Sequence, residues 1–308
     1  MLTRRRLLTD SAAATGVLAL GASARAARSQ DENDLFEISL AQWSLHRKLR
    51  AGELDNLEFA AYTRRAYDVH AVEYVNSFFK DKAADWTYLG EMKQRAEDAG
   101  VRSLLIMIDG EGALASADDA QRRQAIRNHF RWIAAASYLG CHAIRVNAGG
   151  NADWDDGMAR AADSLRTLAD IGAGYGISVI VENHGGLSSN GEWLSGVMKR
   201  ADHPGVGTLP DFGNFHLGND RWYDRYKGVE ELMPFAKAVS AKSHEFDDAG
   251  NEVRTDYRRM LDLVLGAGYR GFIGIEYEGG KHNEDEGIAL TRDLLLTCLL
   301  YTSDAADE

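Results

Sequence analysis

Four acidic or histidine side chains lie at the ends of four successive strand-like runs. The runs read SVIVENH, GVGTLPDF, AVSAKSHEF and GFIGIEYEG, and they carry Glu182, Asp211, His244 and Glu276. In a closed parallel barrel, the carboxyl ends of all strands open at the same mouth, so residues far apart in the chain can converge there. Three carboxylates around one point repel one another unless a cation lies between them. The pattern therefore predicts a divalent metal bound by these four residues. Oxygen-rich ligation with one imidazole favours Mn²⁺ or Mg²⁺, with Co²⁺ or Zn²⁺ as further possibilities.

Eight short apolar runs alternate with amphipathic stretches along the chain. The runs lie near 38–44, 71–75, 102–108, 142–147, 177–182, 206–211, 238–244 and 271–277. The stretches between them repeat apolar residues at helical spacing. Several end in a glycine that can stop a helix in the left-handed conformation: Gly100, Gly140, Gly176 and Gly268. This repeat predicts an α/β fold, a single-domain (β/α)8 TIM barrel over residues 36–297. The alternative is an open doubly wound sheet, which would need a glycine-rich first turn to bind a nucleotide; the sequence has none.

Composition limits the partners of the chain. The 308 residues, 45% of them hydrophobic, suffice for one large core. The net charge of −12 argues against a nucleic-acid partner, because phosphate binding needs a basic face. We therefore expect a small-molecule substrate, and the sequence is compatible with a homo-oligomer.

Both termini differ in character from the barrel region. Residues 1–26 begin with Arg4-Arg5-Arg6, continue through a short apolar stretch and end in an A-x-A cleavage pattern. This segment resembles a twin-arginine export signal, which predicts a periplasmic or otherwise exported protein. Its apolar stretch is too short to span a bilayer comfortably, so no stable membrane insertion is expected after cleavage. Residues 298–308 break the apolar period of the last helix and are predicted to be a non-native or frayed tail.

From about residue 36 to 296 the chain resembles the xylose isomerase-like TIM-barrel superfamily, in particular its sugar phosphate isomerase/epimerase members. The motifs that carry the resemblance are VENHGG, PDFGNF, AKSHEFDDAGNE and GIEYEGG. The resemblance implies metal ligation by Glu182, Asp211 and Glu276. Many members have a His-x-Lys pattern on the seventh strand, with the histidine as a ligand, but Ser240 occupies that position here. His244, two pleats nearer the mouth, could replace the missing ligand; otherwise it binds substrate.

Further polar residues near the strand ends are candidates for the substrate and the chemistry. Lys242 could steady an enediolate oxygen, act as a base if its pKa is lowered, or form only a salt bridge with Glu182 or Glu276. The candidates for substrate binding are His184, His216, Asn147, Trp43, Glu73 and Asn214. Asn214 stands where family members often have a histidine, in an Asp-x-x-His pattern. For His184, the alternative is a loop histidine that bonds the backbone.

These features predict a divalent-metal-dependent sugar isomerase or epimerase. Glu182 and Glu276, together with Lys242, would transfer the proton next to a carbonyl group through an enediolate. A keto-sugar or inosose dehydratase would use the same site, and a periplasmic sugar-binding module is the non-enzymatic alternative. An endonuclease of the same superfamily is disfavoured, because the chain is acidic and lacks the histidines of a three-zinc cluster.

Overall fold

Eight parallel strands surround the centre of the protein in a computed structural model, which describes residues 35–150 and 153–304. The strands in chain order are β1 Glu37–Ala41, β2 Ala71–Val75, β3 Arg102–Met107, β4 Ala143–Val146, β5 Ser178–Glu182, β6 Val206–Leu209, β7 His216–Gly218, β8 Arg221–Trp222, β9 Val239–Ser243 and β10 Phe272–Tyr277. The short strands β7 and β8 form a separate antiparallel hairpin. The other eight form one sheet with the order β6-β5-β4-β3-β2-β1-β10-β9.

Parallel contacts between β6 and β9 bring the two edges of this sheet together. Bridges join Thr208 to Ala236 and Asp211 to Ser240. The Ser240 amide donates to the Pro210 carbonyl at 2.9 Å, and the Phe212 amide donates to the Ser240 carbonyl at 3.1 Å. The sheet is therefore closed, and the predicted (β/α)8 barrel is confirmed.

Helices follow the barrel strands and cover the outside of the sheet. They are α1 His46–Ala51, α2 Phe59–Tyr67, α3 Trp86–Asp98, α4 Asp119–Leu139, α5 Trp154–Ala173, α6 Gly191–Ala201, α7 Arg225–Leu232, α8 Tyr257–Gly266 and α9 Glu284–Asp304. Short 3-10 turns lie at Gln42–Leu45, Asn56–Glu58, Asn76–Phe78, Lys80–Lys82, Gly186–Ser189 and Met233–Phe235. The four glycines predicted to stop helices all have positive φ values, between 67° and 83°. Within the described residues, no helix has the length and apolar character of a membrane span.

The interior of the barrel changes from apolar to polar toward the carboxyl ends of the strands. A small apolar cluster, which includes Leu105, Met107, Ile180 and Leu209, fills the barrel. Side chains two residues further along a strand share its face, so Ile180 is followed by Glu182 on the same side of β5. The fold therefore places the buried carboxylates just above an apolar floor.

Two predictions concern the ends of the chain. The predicted export signal, residues 1–26, lies outside the described residues. Helix α9 continues through part of the predicted tail, to Asp304, and Cys298 is buried.

Candidate metal centre

Three of the predicted ligands converge at the mouth of the barrel. Glu182 ends β5, Asp211 follows β6, and Glu276 lies on β10. One carboxylate oxygen from each residue lies within 4.8 Å of the others, and all three side chains are buried. Parallel closure of the sheet, rather than proximity in sequence, produces this group, as the strand-end spacing predicted.

Ser240 lies between two of these carboxylates, at the position where the family resemblance placed a histidine. Its hydroxyl contacts Asp211 Oδ2 at 2.7 Å and Glu276 Oε2 at 2.9 Å. A hydroxyl carries a single proton and can donate it to only one of these oxygens at a time. Ser240 therefore leaves the negative charge of the group in place and adds one more oxygen donor to it.

Lys242 is two residues further along β9 and extends into the same group. Its ammonium nitrogen is 3.3 Å from Glu276, 3.9 Å from Asp211 and 3.2 Å from Glu278. Burial opposes the charge of Lys242, but Glu276, Asp211 and Glu278 outweigh this effect and raise its pKa well above the ordinary value. Lys242 is therefore a buried cation, which favours electrostatic stabilisation over the role of a base.

Glu182 pairs with a second buried cation. Arg145 Nε is 2.8 Å from Glu182 Oε2, yet neither atom makes a hydrogen bond of acceptable geometry within the described part of the chain. The other oxygen of Glu182 accepts a hydrogen bond from the Asn214 amide at 2.7 Å. Glu182 Oε2 is therefore a buried carboxylate oxygen that is ion-paired but accepts no hydrogen bond, so its lone pairs are suited to a metal ligand.

The protonation of these carboxylates reflects their crowding. Burial, with repulsion from Glu182 and Glu276 that Lys242 only partly offsets, raises the pKa of Asp211 to about 7. Burial likewise raises the pKa of Glu276. Burial also opposes ionisation of Glu182, but Arg145 and the other nearby positive groups hold its pKa below the ordinary value.

These observations fit a divalent cation. The three central carboxylates and Glu278 outnumber the two buried cations, Lys242 and Arg145, and a bound ion would offset the remaining repulsion. The donors are all oxygens, which suits Mg²⁺ or Mn²⁺ better than softer ions.

Glu73 lies deeper in the barrel, below this group. Its carboxylate accepts a hydrogen bond from Ser39 at 2.6 Å and fills space beside Gly274, where any Cβ atom would collide with it. Burial, together with repulsion from Glu276 and Glu182, raises the pKa of Glu73 to about 7, although the Ser39 hydrogen bond opposes the rise. The structure therefore places Glu73 beneath the three carboxylates rather than at the open mouth, and its predicted contact with the substrate stays a prediction.

The raised pKa of Glu73 predicts a specific pH dependence of stability. The folded state holds a proton that the unfolded chain releases near pH 4.5, so stability falls as the pH rises from about 4.5 to 7. Asp211 and Glu276, whose pKa values are also raised, add to this dependence, so Glu73→Gln should make it shallower and should stabilise the protein by up to about 3 kcal/mol at pH 8. Urea unfolding in a chelating buffer measures the difference. The exposed Glu192→Gln variant should keep the wild-type slope, and a Glu73→Gln variant that also kept it would contradict the assignment.

His244 is not brought to the three carboxylates. It follows β9 and lines a cavity of about 230 Å³ together with His184, His216 and Asn214. Burial and the nearby Arg254 and Lys242 lower the pKa of His244 to about 4, so it is neutral near pH 7. The geometry therefore supports the alternative role of His244, in substrate binding, over metal ligation.

The remaining candidates lie around the mouth. The Asn147 amide donates to Asp109 at 2.7 Å, and its carbonyl is 3.1 Å from His184 Nδ1. The Trp43 indole donates to Glu278 and stacks on His46, with ring centroids 4.9 Å apart. Trp43 is partly buried and so retains an accessible surface that could contact a sugar.

Sequence reasoning did not single out Glu278, or Arg225 and Arg254. These two arginines also line the cavity of about 230 Å³ beside His244, which we call the side cavity. Glu278 could have been found, because it lies two residues beyond Glu276 and continues the same face of β10. Arg225 begins α7, and Arg254 lies in the loop before α8; nothing in their local sequence places them beside His184.

Residues 63–297 match the family model described as xylose isomerase-like TIM barrel. The chain belongs to this family. A search of the curated proteins finds no match.

Several solved structures share this fold at low sequence identity. An L-ribulose 3-epimerase is similar with a TM-score of 0.69 and 15% identity, over 88% of this chain and 97% of that chain. A xylose isomerase-like TIM barrel protein from Mycobacterium smegmatis in complex with magnesium has a TM-score of 0.65 and 16% identity, over 86% and 96%. The probable 3-DHS dehydratase AsbF from Bacillus anthracis has a TM-score of 0.63 and 14% identity, over 85% and 99%. At these identities, the likeness establishes the fold.

Proposed function

We propose that this protein is a divalent-metal-dependent sugar isomerase or epimerase. The observation that carries the proposal is the buried group of Glu182, Asp211 and Glu276, whose ligand oxygens lie within 4.8 Å of one another. An L-ribulose 3-epimerase and a magnesium complex among the similar structures support it. Glu182, Asp211 and Glu276 would hold the ion, for which we favour Mg²⁺ or Mn²⁺. When bound, the ion would polarise a carbonyl and make the neighbouring C–H more acidic.

The side chains around the group have separate roles in this proposal. Glu182 and Glu276 project from strands on opposite sides of Asp211 and would exchange a proton with the sugar carbon beside the carbonyl. The Lys242 ammonium would neutralise the oxygen that becomes negative as the enediolate forms. Asn214 holds Glu182 in place through its 2.7 Å hydrogen bond, and Trp43 offers an aromatic surface for the C–H face of the sugar.

A dehydratase acting on a keto-sugar is the second candidate, because a probable 3-DHS dehydratase is among the similar structures. It would use the same proton abstraction but would then expel a leaving group from the adjacent carbon. The active-site residues are common to the two reactions, so the product must distinguish them.

The test combines metal analysis with a substrate screen. The purified protein should contain Mg²⁺ or Mn²⁺, or take up either ion after chelator treatment. Ketoses, aldoses and keto-glycosides in D₂O, followed by NMR and mass spectrometry, should show deuterium entering beside the carbonyl. An isomerase or epimerase otherwise leaves the mass unchanged, whereas a dehydratase removes one water. Saturable sugar binding with no exchange or turnover in the metal-loaded protein would instead indicate a binding module and contradict the proposal.

A further inference from the structure

A small cavity opens beside the metal centre, on the side of β5, β6 and β9. Its volume is about 230 Å³, enough for a substituent of a sugar bound at the centre. Asn214 lines the cavity and also donates to Glu182, so a substrate bound at the centre could extend a group into this space.

The cavity wall is cationic, in contrast to the acidic metal centre. Arg225 and Arg254 line it, along with three histidines, and none of its lining residues in the described part of the chain is acidic. Arg254 pairs with the half-exposed Glu245 at 2.8 Å. Arg225 donates to the Thr255 hydroxyl but forms no ion pair with any carboxylate among residues 35–150 and 153–299, whose side chains the structure describes. In a protein with a net charge of −12, an unneutralised guanidinium facing a cavity is a specific local feature.

The wall is built before any ligand arrives. The buried Glu252 carboxylate accepts hydrogen bonds from the amides of Arg254 at 2.7 Å and Thr255 at 2.6 Å, and also from the His244 amide at 3.2 Å. Thr255 in turn holds Arg225. One carboxylate therefore fixes the loop that carries His244 and Arg254 and indirectly positions Arg225, which reduces the ordering cost of binding.

We infer that this cavity binds the carboxylate of a sugar acid, so that the substrate of the proposed isomerase or epimerase is an acidic rather than a neutral sugar. The inference depends on the proposed function for the identity of the reaction but not for the binding itself. The planar Arg225 fork matches a carboxylate, and the histidines can bond adjacent hydroxyls.

A carboxylate fits the cavity better than a phosphate. The unpaired positive charge is that of a single guanidinium, which one monoanion balances. Phosphate sites commonly add a concave set of free backbone amides. Here the His184 amide donates to Ser188 at 3.2 Å and the Gly185 amide donates to Ser189 at 2.8 Å, so these loop amides are already satisfied.

The test compares matched acidic and neutral probes on the full chain in a chelating buffer, which prevents a carboxylate from binding through a metal. NMR titrations would use D-glucuronate against D-glucose, and D-gluconate against D-glucitol, with D-glucose 6-phosphate as the phosphate probe. We expect at least one acid to bind about tenfold more tightly than its neutral partner, as for a charge-assisted hydrogen-bonded pair. Arg225→Gln should reduce that preference to less than about threefold.

Arg123→Gln is the matched control, because Arg123 is exposed on α4 and does not line the cavity. It should keep the preference for the acid. The inference is overturned if neither acid binds more tightly than its neutral partner, if the preference survives in Arg225→Gln, or if D-glucose 6-phosphate binds most tightly. Since the assay involves neither metal nor turnover, an acid preference without proton exchange in the metal-loaded protein would reject the proposed function alone.

Discussion

Replacing Lys242 with Met should lower the free energy of unfolding of the metal-free protein by about 3–5 kcal/mol, as is typical when one partner of a buried ion pair is removed. The ammonium of Lys242 lies within 4 Å of Asp211, Glu276 and Glu278, and it is only 3% exposed. Met fills a similar volume, so the loss would come from charge rather than from a cavity. The loss should be larger at pH 8 than at pH 5, because protonation of the carboxylates relieves their repulsion at low pH.

The effect of added metal on stability distinguishes a metal site from a purely structural polar cluster. Adding Mg²⁺ or Mn²⁺ at about 100 times its dissociation constant should stabilise the protein by about 3 kcal/mol, because the ion binds only the folded state. Urea unfolding with and without the ion measures both effects. Lys199→Met, on the exposed face of α6, should change neither quantity. A Lys242→Met protein as stable as the wild type in chelator would show that the carboxylates do not depend on this cation.

The position of the three carboxylates could be predicted because it follows from parallel topology. In a barrel, the end of each strand reaches the same mouth, so an acidic residue that closes an apolar run is placed by the fold and not by its neighbours in sequence. Glu182, Asp211 and Glu276 all satisfy this condition. The local periodicity that defined the strands was sufficient to bring them together.

The position of the His244 side chain could not be predicted from strand topology. It lies beyond the last residue of β9, so the backbone leaves the strand direction before the side chain is placed. The amide of His244 is held by Glu252, a loop residue, and this contact turns the chain toward the side cavity. The alternation of inward and outward side chains along a strand cannot predict the path of the loop that follows, because tertiary hydrogen bonds determine that path.

For Ser240, the sequence predicts the substitution but not the contacts of the side chain. The sequence shows that a serine replaces the histidine seen in many family members, but not what compensates for it. The structure places the Ser240 hydroxyl between Asp211 and Glu276. Lys242 lies two residues further along β9, toward the mouth of the barrel. Where the family resemblance implies a histidine, this chain therefore has a hydroxyl oxygen and a nearby buried cation. This arrangement keeps the group dominated by hard donors and explains our preference for Mg²⁺ or Mn²⁺.

Glu182→Gln and Glu276→Gln should each lower the rate of deuterium exchange beside the substrate carbonyl by about 100-fold to 10,000-fold, the usual contribution of a positioned acid or base. Glutamine keeps the size and one oxygen of the side chain but cannot accept the proton. Each variant also loses a charged ligand, so the rates must be compared at metal concentrations that saturate each protein. The exchange is followed by proton NMR in D₂O on the substrate found in the screen.

The comparison between the two variants separates proton transfer from metal binding. If Glu182 and Glu276 are both acid–base groups, saturating metal should restore the bound ion but not the exchange. If one of them is only a ligand, its variant should recover exchange close to the wild-type rate once metal is saturating, and that residue would then be removed from the proton-transfer role. Glu192→Gln, an exposed position in the first turn of α6, should match the wild type throughout. The roles of two carboxylates that share one ion are therefore distinguished by their dependence on metal concentration, which their positions in the fold alone do not reveal.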